Sequence, residues 1–316
     1  MAKKRTFIQI TEIWTPSADR TILEYHGGLF GKHQSFRLAT HKLCFGYDQG
    51  LPGKAWAARH PIVLRDLQNT PWFKRGEAAA RAGLTCGVAM PIFAGDYLLA
   101  VVVFFCGDDD DHVGAIELWH NDPTRSAEMK MVDGYFGIVE SFEFTAKHTS
   151  LMRGFGLPGM VWDSSMPILL PDLGNAERFL RREDARRVGI NKGLGLPVPY
   201  TPHQTWVMTF LSALGTPIAR RFEVWVPDPA RGGLVLQDGL CDIEPAFAAR
   251  YKGVAIEYGW GLIGQVWQTG LPAVSEHIDT ELTPVGVAAS AASLNEVIAI
   301  PVLEAGRMKA IVTMYF

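Results

Sequence analysis

The segment GLPGKAWAARHPIVLRDL at residues 50–67 returns as GLPGMVWDSSMPILLPDL at 156–173 and, weakened, as GLIGQVWQTGLPAVSEHI at 261–278. The three starts lie 106 and 105 residues apart. That spacing is too regular for chance and too long for a solenoid repeat. It constrains the chain to about three copies of one compact unit. The repeat extends on both sides. A Glu-x-Trp triplet recurs as Glu12/Trp14, Glu117/Trp119 and Glu223/Trp225, each running through a polar turn into a second extended stretch. Later in each unit come GVAMPIFAGDYLLAVVVFF, GLGLPVPYTPHQTWVMTFL and VIAIPVLEAGRMKAIVTMYF, with Pro91, Pro197 and Pro301 in matching places. Aromatic and β-branched runs flanking turns read as antiparallel hairpins. The prolines, lacking a ladder donor, belong where a strand is edge-like or near its end.

Between these hairpins, WFKRGEAAARAG and AERFLRREDARRVG read as helices that end at a glycine C-cap. The third unit has TPVGVAASAASLNE there, which predicts a looser or differently folded crossover. Each unit therefore reads as two strands, a connection, a short strand (PIVLRDL, PILLPDL, PAVSEHI), a helix and two strands. The fold class is α+β: three tandem units, each an antiparallel sheet with helices packed on one face. Expected boundaries are 1–108, 109–216 and 217–316. Two arrangements fit this order: units that follow one another, which the chain ends favour, or adjacent units that exchange hairpins.

With 316 residues, 48% apolar and 20% charged, the chain is an ordinary globular one of two or three domains. A net charge of −3 gives no electrostatic case for nucleic acid or an anionic membrane. No run approaches the length of a membrane helix, and the start is no signal-peptide core. Four cysteines without CxxC spacing point to a reduced, cytoplasmic protein.

The run from Gly50 to Phe105 resembles the core of a GAF domain: Gly-Leu-x-Gly, a hydrophobic helix, a Pro-led short strand with Asp, a helix ending in Gly-Leu, then x-x-Pro and the final hairpin. The resemblance is strongest over the first unit and weakest over the third, and it covers nearly the whole chain. It implies a sheet of six strands or fewer, with a small-molecule pocket between the sheet and the crossover. Family ligands include cyclic nucleotides, haem, linear tetrapyrroles, amino acids and aromatic compounds, and fold does not choose among them. The cofactor is thus left open. The cysteine–histidine pair of bilin-carrying relatives has no counterpart here, nor does the three-cysteine pattern of GAF-fold methionine sulfoxide reductases. No kinase, cyclase, phosphodiesterase or DNA-binding sequence follows, and no heptads flank the units, so output is expected through a separate effector protein. A homodimer is left open.

Individual residues have bland and functional readings. The paired glycines suit helix entry and close packing better than a phosphate cradle, since no GKS or GKT follows. Trp56, Trp162 and Trp267 read as core anchors, with a stacking pocket wall as the rival. The Glu-x-Trp acids, placed on one strand face with Ile8 and Ile10, need a structural partner, a backbone amide or an arginine between neighbouring units, or else a ligand. Cys86 reads as buried and inert. The nine histidines show no metal spacing, and the DDDD run at 108–111 reads as a solvated turn. The leading function is non-catalytic small-molecule sensing. Trp56, Arg65, Asp66, Phe73, Cys86 and Met90 are the candidate lining of the first unit's pocket, placed there by the family resemblance. The rival is a scaffold or adaptor whose units are filled.

Overall fold

The computed structural model describes residues 6–107, 112–198 and 204–316. The aspartate run at 108–111, with its expected turn, lies outside the described residues. The first unit runs β1 (Ile8–Pro16), β2 (Ile22–Leu29), α1 (Gln34–Thr40), β3 (Cys44–Gly46), α2 (Gly50–Ala58), β4 (Ile62–Leu64), α3 (Gly76–Ala82), β5 (Cys86–Ala94) and β6 (Tyr97–Cys106). The second repeats it as β7 (Val113–Asn121), β8 (Met129–Gly137), α4 (Glu140–Lys147), β9 (Ser150–Leu151), α5 (Gly156–Ser164), β10 (Ile168–Leu170), α6 (Arg182–Val188), β11 (Ile190–Pro197) and β12 (Thr205–Ala213). The third has β13 (Arg221–Asp228), β14 (Gly233–Cys241), a 3-10 turn (Phe247–Tyr251), α7 (Gly261–Thr269), β15 (Ala273–Ser275), α8 (Pro284–Ala291), β16 (Val297–Glu304) and β17 (Arg307–Tyr315).

Three antiparallel sheets result, ordered β3-β2-β1-β6-β5-β4, β9-β8-β7-β12-β11-β10 and β14-β13-β17-β16-β15. Each sheet draws its strands from one stretch of chain, so no hairpin is exchanged between sheets. Helices cover one face of each sheet, giving the α+β class read from the sequence. Among the described residues the third sheet has no counterpart of β3 and β9; a bridge between Leu234 and Ile256 stands there.

Local chemistry explains the elements. The helices α3 and α6 end on Gly83 and Gly189, at φ 68° and 80°, where no side chain is welcome. The third crossover departs from the looser expectation. Helix α8 forms because Thr283 caps it, accepting from the Gly286 amide, and Pro284 sits in its first turn. In the Gly-x-x-Gly helices the second glycine is required by space. A Cβ on Gly53 would lie 2.1 Å from the Gly46 carbonyl oxygen, and one on Gly159 would lie 2.4 Å from that of Met152. Pro91 and Pro301 sit beyond the three-residue reach of β4 and β15 along their strands, so no neighbour there asks for their missing N–H.

Each unit has its own core between sheet and helices, anchored by Trp14, Trp119 or Trp225, all fully buried. The opposite faces of the three sheets merge into a fourth core. It joins Met90 and Phe104 of the first unit, Met208 and Phe210 of the second, and Ile300 and Met314 of the third. Phe104 and Phe210 meet edge to face at 5.4 Å. The three units are thus wrapped back to back around one axis.

The seams close a ring. The short strand of each unit lies against the second strand of the next: β4 on β8, β10 on β14, and β15 back on β2. Ion pairs cross each seam. Arg65 meets Asp133 at 2.8 Å and Glu143, Lys192 meets Asp242, and Glu276 meets Arg37 at 3.2 Å. Heterologous interfaces that rotate to closure make rings; here one polypeptide supplies all three positions.

Candidate functional site

The alternation of a strand puts Glu12 and Trp14 on one face of β1, beside Ile10 and under the helices. Ile8 does not share that face as expected. A bulge between Ile8 and Ile10 in the pairing with β6 turns it to the common core. Glu12 is fully buried, and an ionised carboxylate there demands partners. Arg75, at the N-terminal boundary of α3, supplies them: Nη1 donates to Glu12 Oε1 and Nη2 to Oε2 at 3.0 Å. Thr40 Oγ1 donates to Oε1 at 2.8 Å and Trp14 Nε1 to Oε2 at 2.9 Å. The Arg75 guanidinium lies over Phe36, Phe105 and Phe73, 4.6, 5.2 and 5.5 Å from the ring centres. The second unit repeats this. Arg181 holds Glu117 through bonds of 2.6 and 2.8 Å, with Trp119 and Thr209 completing the shell. The structural partner of these two acids is therefore an arginine of the same unit, not one between neighbouring units as expected, because the N-terminal boundary of each unit's own crossover helix lies over the acid.

The third unit satisfies Glu223 differently. Tyr315 donates at 2.8 Å, Tyr251 at 3.1 Å, Thr313 at 3.1 Å and Trp225 at 3.0 Å. Arg221, two residues earlier on the same strand, is 3.7 Å away and packs 4.3 Å above Phe247. Burial, with the neighbouring Glu223 charge, pushes both tyrosine hydroxyls well above their ordinary pKa.

These clamps sit between sheet and crossover, where the resemblance implies a ligand pocket. The six candidate lining residues do not converge there. Phe73 is buried against Arg75. Trp56 is half-buried and edge-on to Tyr47 at 5.3 Å. Arg65 leaves the unit to bridge the first seam, and exposed Asp66 accepts from the Asn69 amide nitrogens. Cys86 and Met90 are on the other side of the sheet, in the common core. Strand alternation separates them from Phe73. Trp162 and Trp267 are also only half-buried, so the anchoring role expected of these tryptophans belongs to the Glu-x-Trp set.

A ligand-sized space does exist at one end of the ring. A cleft of about 500 Å³ is lined by Phe93 of the first unit, Arg153, Trp162, Pro197, Gln204 and Trp206 of the second, and Leu303, Glu304 and Lys309 of the third. Its apolar floor continues into a void of about 20 Å³ among Pro91, Pro197 and Pro301 on the axis. One wall is tightly built. The Trp206 indole stacks on His60 at 4.2 Å, the His120 ring lies tilted against it at 4.1 Å, and His120 Nε2 donates to Gln204 Oε1 at 3.2 Å. Burial holds the His120 imidazole below its ordinary pKa, so it is neutral near pH 7. An apolar floor with a few polar groups at its rim is the usual character of a small-molecule site. Sequence spacing could not find it, because its residues are far apart in the chain. Among the described residues no cluster of three or more His, Cys, Asp or Glu is placed to hold a metal ion, and no helix is long and apolar enough to cross a membrane.

The solved structures that the chain is similar to include GAF domains. A GAF domain from A. aeolicus in an inactive state shares 18% identity over 33% of this chain and 60% of its own, at a TM-score of 0.26. A GAF domain/HD domain protein from Geobacter sulfurreducens shares 13% over 32% and 63%, at 0.27. A free methionine-R-sulfoxide reductase from Neisseria meningitidis, in complex with its substrate, shares 14% over 31% and 52%, at 0.24. The chain thus spans about half to three-fifths of these structures' own length. No protein-family model matches the chain, and none of the curated proteins matches it.

Proposed function

We propose that this protein is a non-catalytic, cytoplasmic ligand-binding sensor of the GAF type, built of three units with boundaries near 108 and 216. Its small molecule is held in the axial cleft, not inside a unit, and its signal passes to a separate effector protein. The observation that carries this reading is the cleft itself: about 500 Å³, apolar below and polar at the rim, with walls from all three units. A ligand there would bias how the units sit on one another.

Native mass spectrometry of protein taken directly from cells tests it. The expected result is a retained small molecule that is lost in Trp162→Ala and Gln204→Ala and kept in Trp72→Ala, a surface change away from the cleft. Added ligand at a hundredfold excess over Kd should stabilise the fold by about 2.7 kcal/mol. Retention that ignores the cleft variants overturns the site. A second reading, a scaffold or adaptor, is favoured by one observation: Arg75 and Arg181 fill the interiors of their units. A protein with no bound molecule and no thermal response across a broad metabolite panel selects that reading.

A further inference from the structure

We infer that Cys86 and Cys106 are a redox-responsive pair that closes to an intramolecular disulfide in the folded protein. The two residues are directly opposite one another in the β5–β6 register. Both are fully buried and both face the common core, so their side chains leave the sheet on the same side. Opposed residues of an antiparallel pair have Cα atoms about 4.5–5.5 Å apart, inside the about 4.4–6.8 Å span that a disulfide bridges. The other two cysteines are not so placed: Cys44 is opposite Glu24, and Cys241 is opposite Arg221.

The location gives the bond a consequence. Cys86 begins β5 and Cys106 ends β6, at the open end of that hairpin, and Cys106 is also opposite Ile8 of β1. The adjoining Thr85 is within hydrogen-bonding distance of the Tyr135 hydroxyl of the second unit, at 3.3 Å. A covalent link would therefore staple the strand ends at the place where the first and second units meet. Hydrogen peroxide suffices as oxidant. One sulfur, as thiolate, attacks a peroxide oxygen, giving a sulfenic acid, and water leaves after protonation. The other sulfur then displaces that hydroxyl as a second water, so two thiols and one peroxide yield one disulfide and two waters. Because both sulfurs are sealed from solvent, the reaction proceeds through local opening of the strand ends and is slow. The inference is independent of the ligand-binding reading.

The experiment treats the whole protein, carrying Cys44→Ser to remove the exposed thiol, with hydrogen peroxide under native conditions, and maps its peptides without reduction. The expected result is a monomer lighter by two hydrogens, with titratable thiols reduced by two, a linked peptide pair containing Cys86 and Cys106, and full reversal by dithiothreitol. The same treatment of the otherwise unaltered chain should give the same linked pair, which guards against an effect of the variant. Thiols that persist unchanged overturn the inference. So do sulfinic or sulfonic acids at these positions without the link, or a link that forms only after denaturation.

Discussion

Arg181 grips Glu117 through two parallel hydrogen bonds of 2.6 and 2.8 Å, and neither side chain is more than 4% exposed. The pair links the boundary of α6 to the middle of β7, so it fixes where the crossover lies on the sheet. Removing one partner leaves the other charge buried. Arg181→Ala should therefore cost about 3–5 kcal/mol, read as a shift in the urea midpoint. A change that removes both charges together, Glu117→Leu with Arg181→Met, should recover most of that loss. If Arg181→Ala costs less than about 1 kcal/mol, the clamp is not organising its unit.

The third unit should fail first in alkali. Tyr251 and Tyr315 have folded pKa values raised by burial and by Glu223, above the ordinary 10.0. A raised folded value means that above about pH 10 the unfolded chain has lost protons which the folded one retains. Their contribution is present in full below that pH and is lost as pH rises beyond it. Tyr251→Phe should flatten the fall in stability between about pH 10 and 11, measured by urea titrations at each pH. An unchanged slope would count against the tyrosine shell.

The seam pairs are a matter of order more than of strength. They are partly exposed, so removing Arg65 should cost only about 0.2–1 kcal/mol and less in high salt. Two seams place the cation on the preceding unit, Arg65 against acids on β8 and α4 and Lys192 against Asp242, while the third is reversed, with Glu276 facing Arg37 on α1. Two first units brought together in the same way would oppose Arg65 with Arg37. Glu276→Arg should therefore weaken closure of the ring, seen as a larger hydrodynamic radius or self-association in sedimentation. A monomer of unchanged size would show that the apolar core alone closes it.

Gly53 is irreplaceable for lack of space. With a Cβ 2.1 Å from the Gly46 oxygen, Gly53→Ala should displace the start of α2 at about 1–3 kcal/mol. Gly31→Ala is the control: its positive φ of 48° costs something, but nothing lies within 4 Å of its Cβ. Thermal unfolding of the two variants compares them, and equal losses would locate the effect in backbone conformation.

The repeat made the fold legible. Glu12/Trp14, Gly50/Gly53 and Pro91 each recur in register, and their copies occupy the same places in the strands and helices of the three units. The partner of Glu12 was legible only as one of two alternatives and in the wrong place, between units, because Arg75 is 63 positions away along the same unit. The candidate site was not legible, since Cys86 and Met90 alternate to the face that packs in the common core of the three sheets. A signal for that face was present in YLLAVVVFFC: a strand apolar on both sides belongs to a sheet covered on both sides. What covers it, two more copies of the same sheet, follows from seams between residues as distant as Arg37 and Glu276.

A trimer of identical chains must repeat every substitution three times about its axis. In this ring a change enters at one position only. The third unit has already used that freedom, replacing an arginine clamp by two tyrosines. The axial mouth has done the same: Trp206 lines it from the second unit, where the matching residues of the first and third units are Ala100 and Ala310, and so its outline has no threefold symmetry.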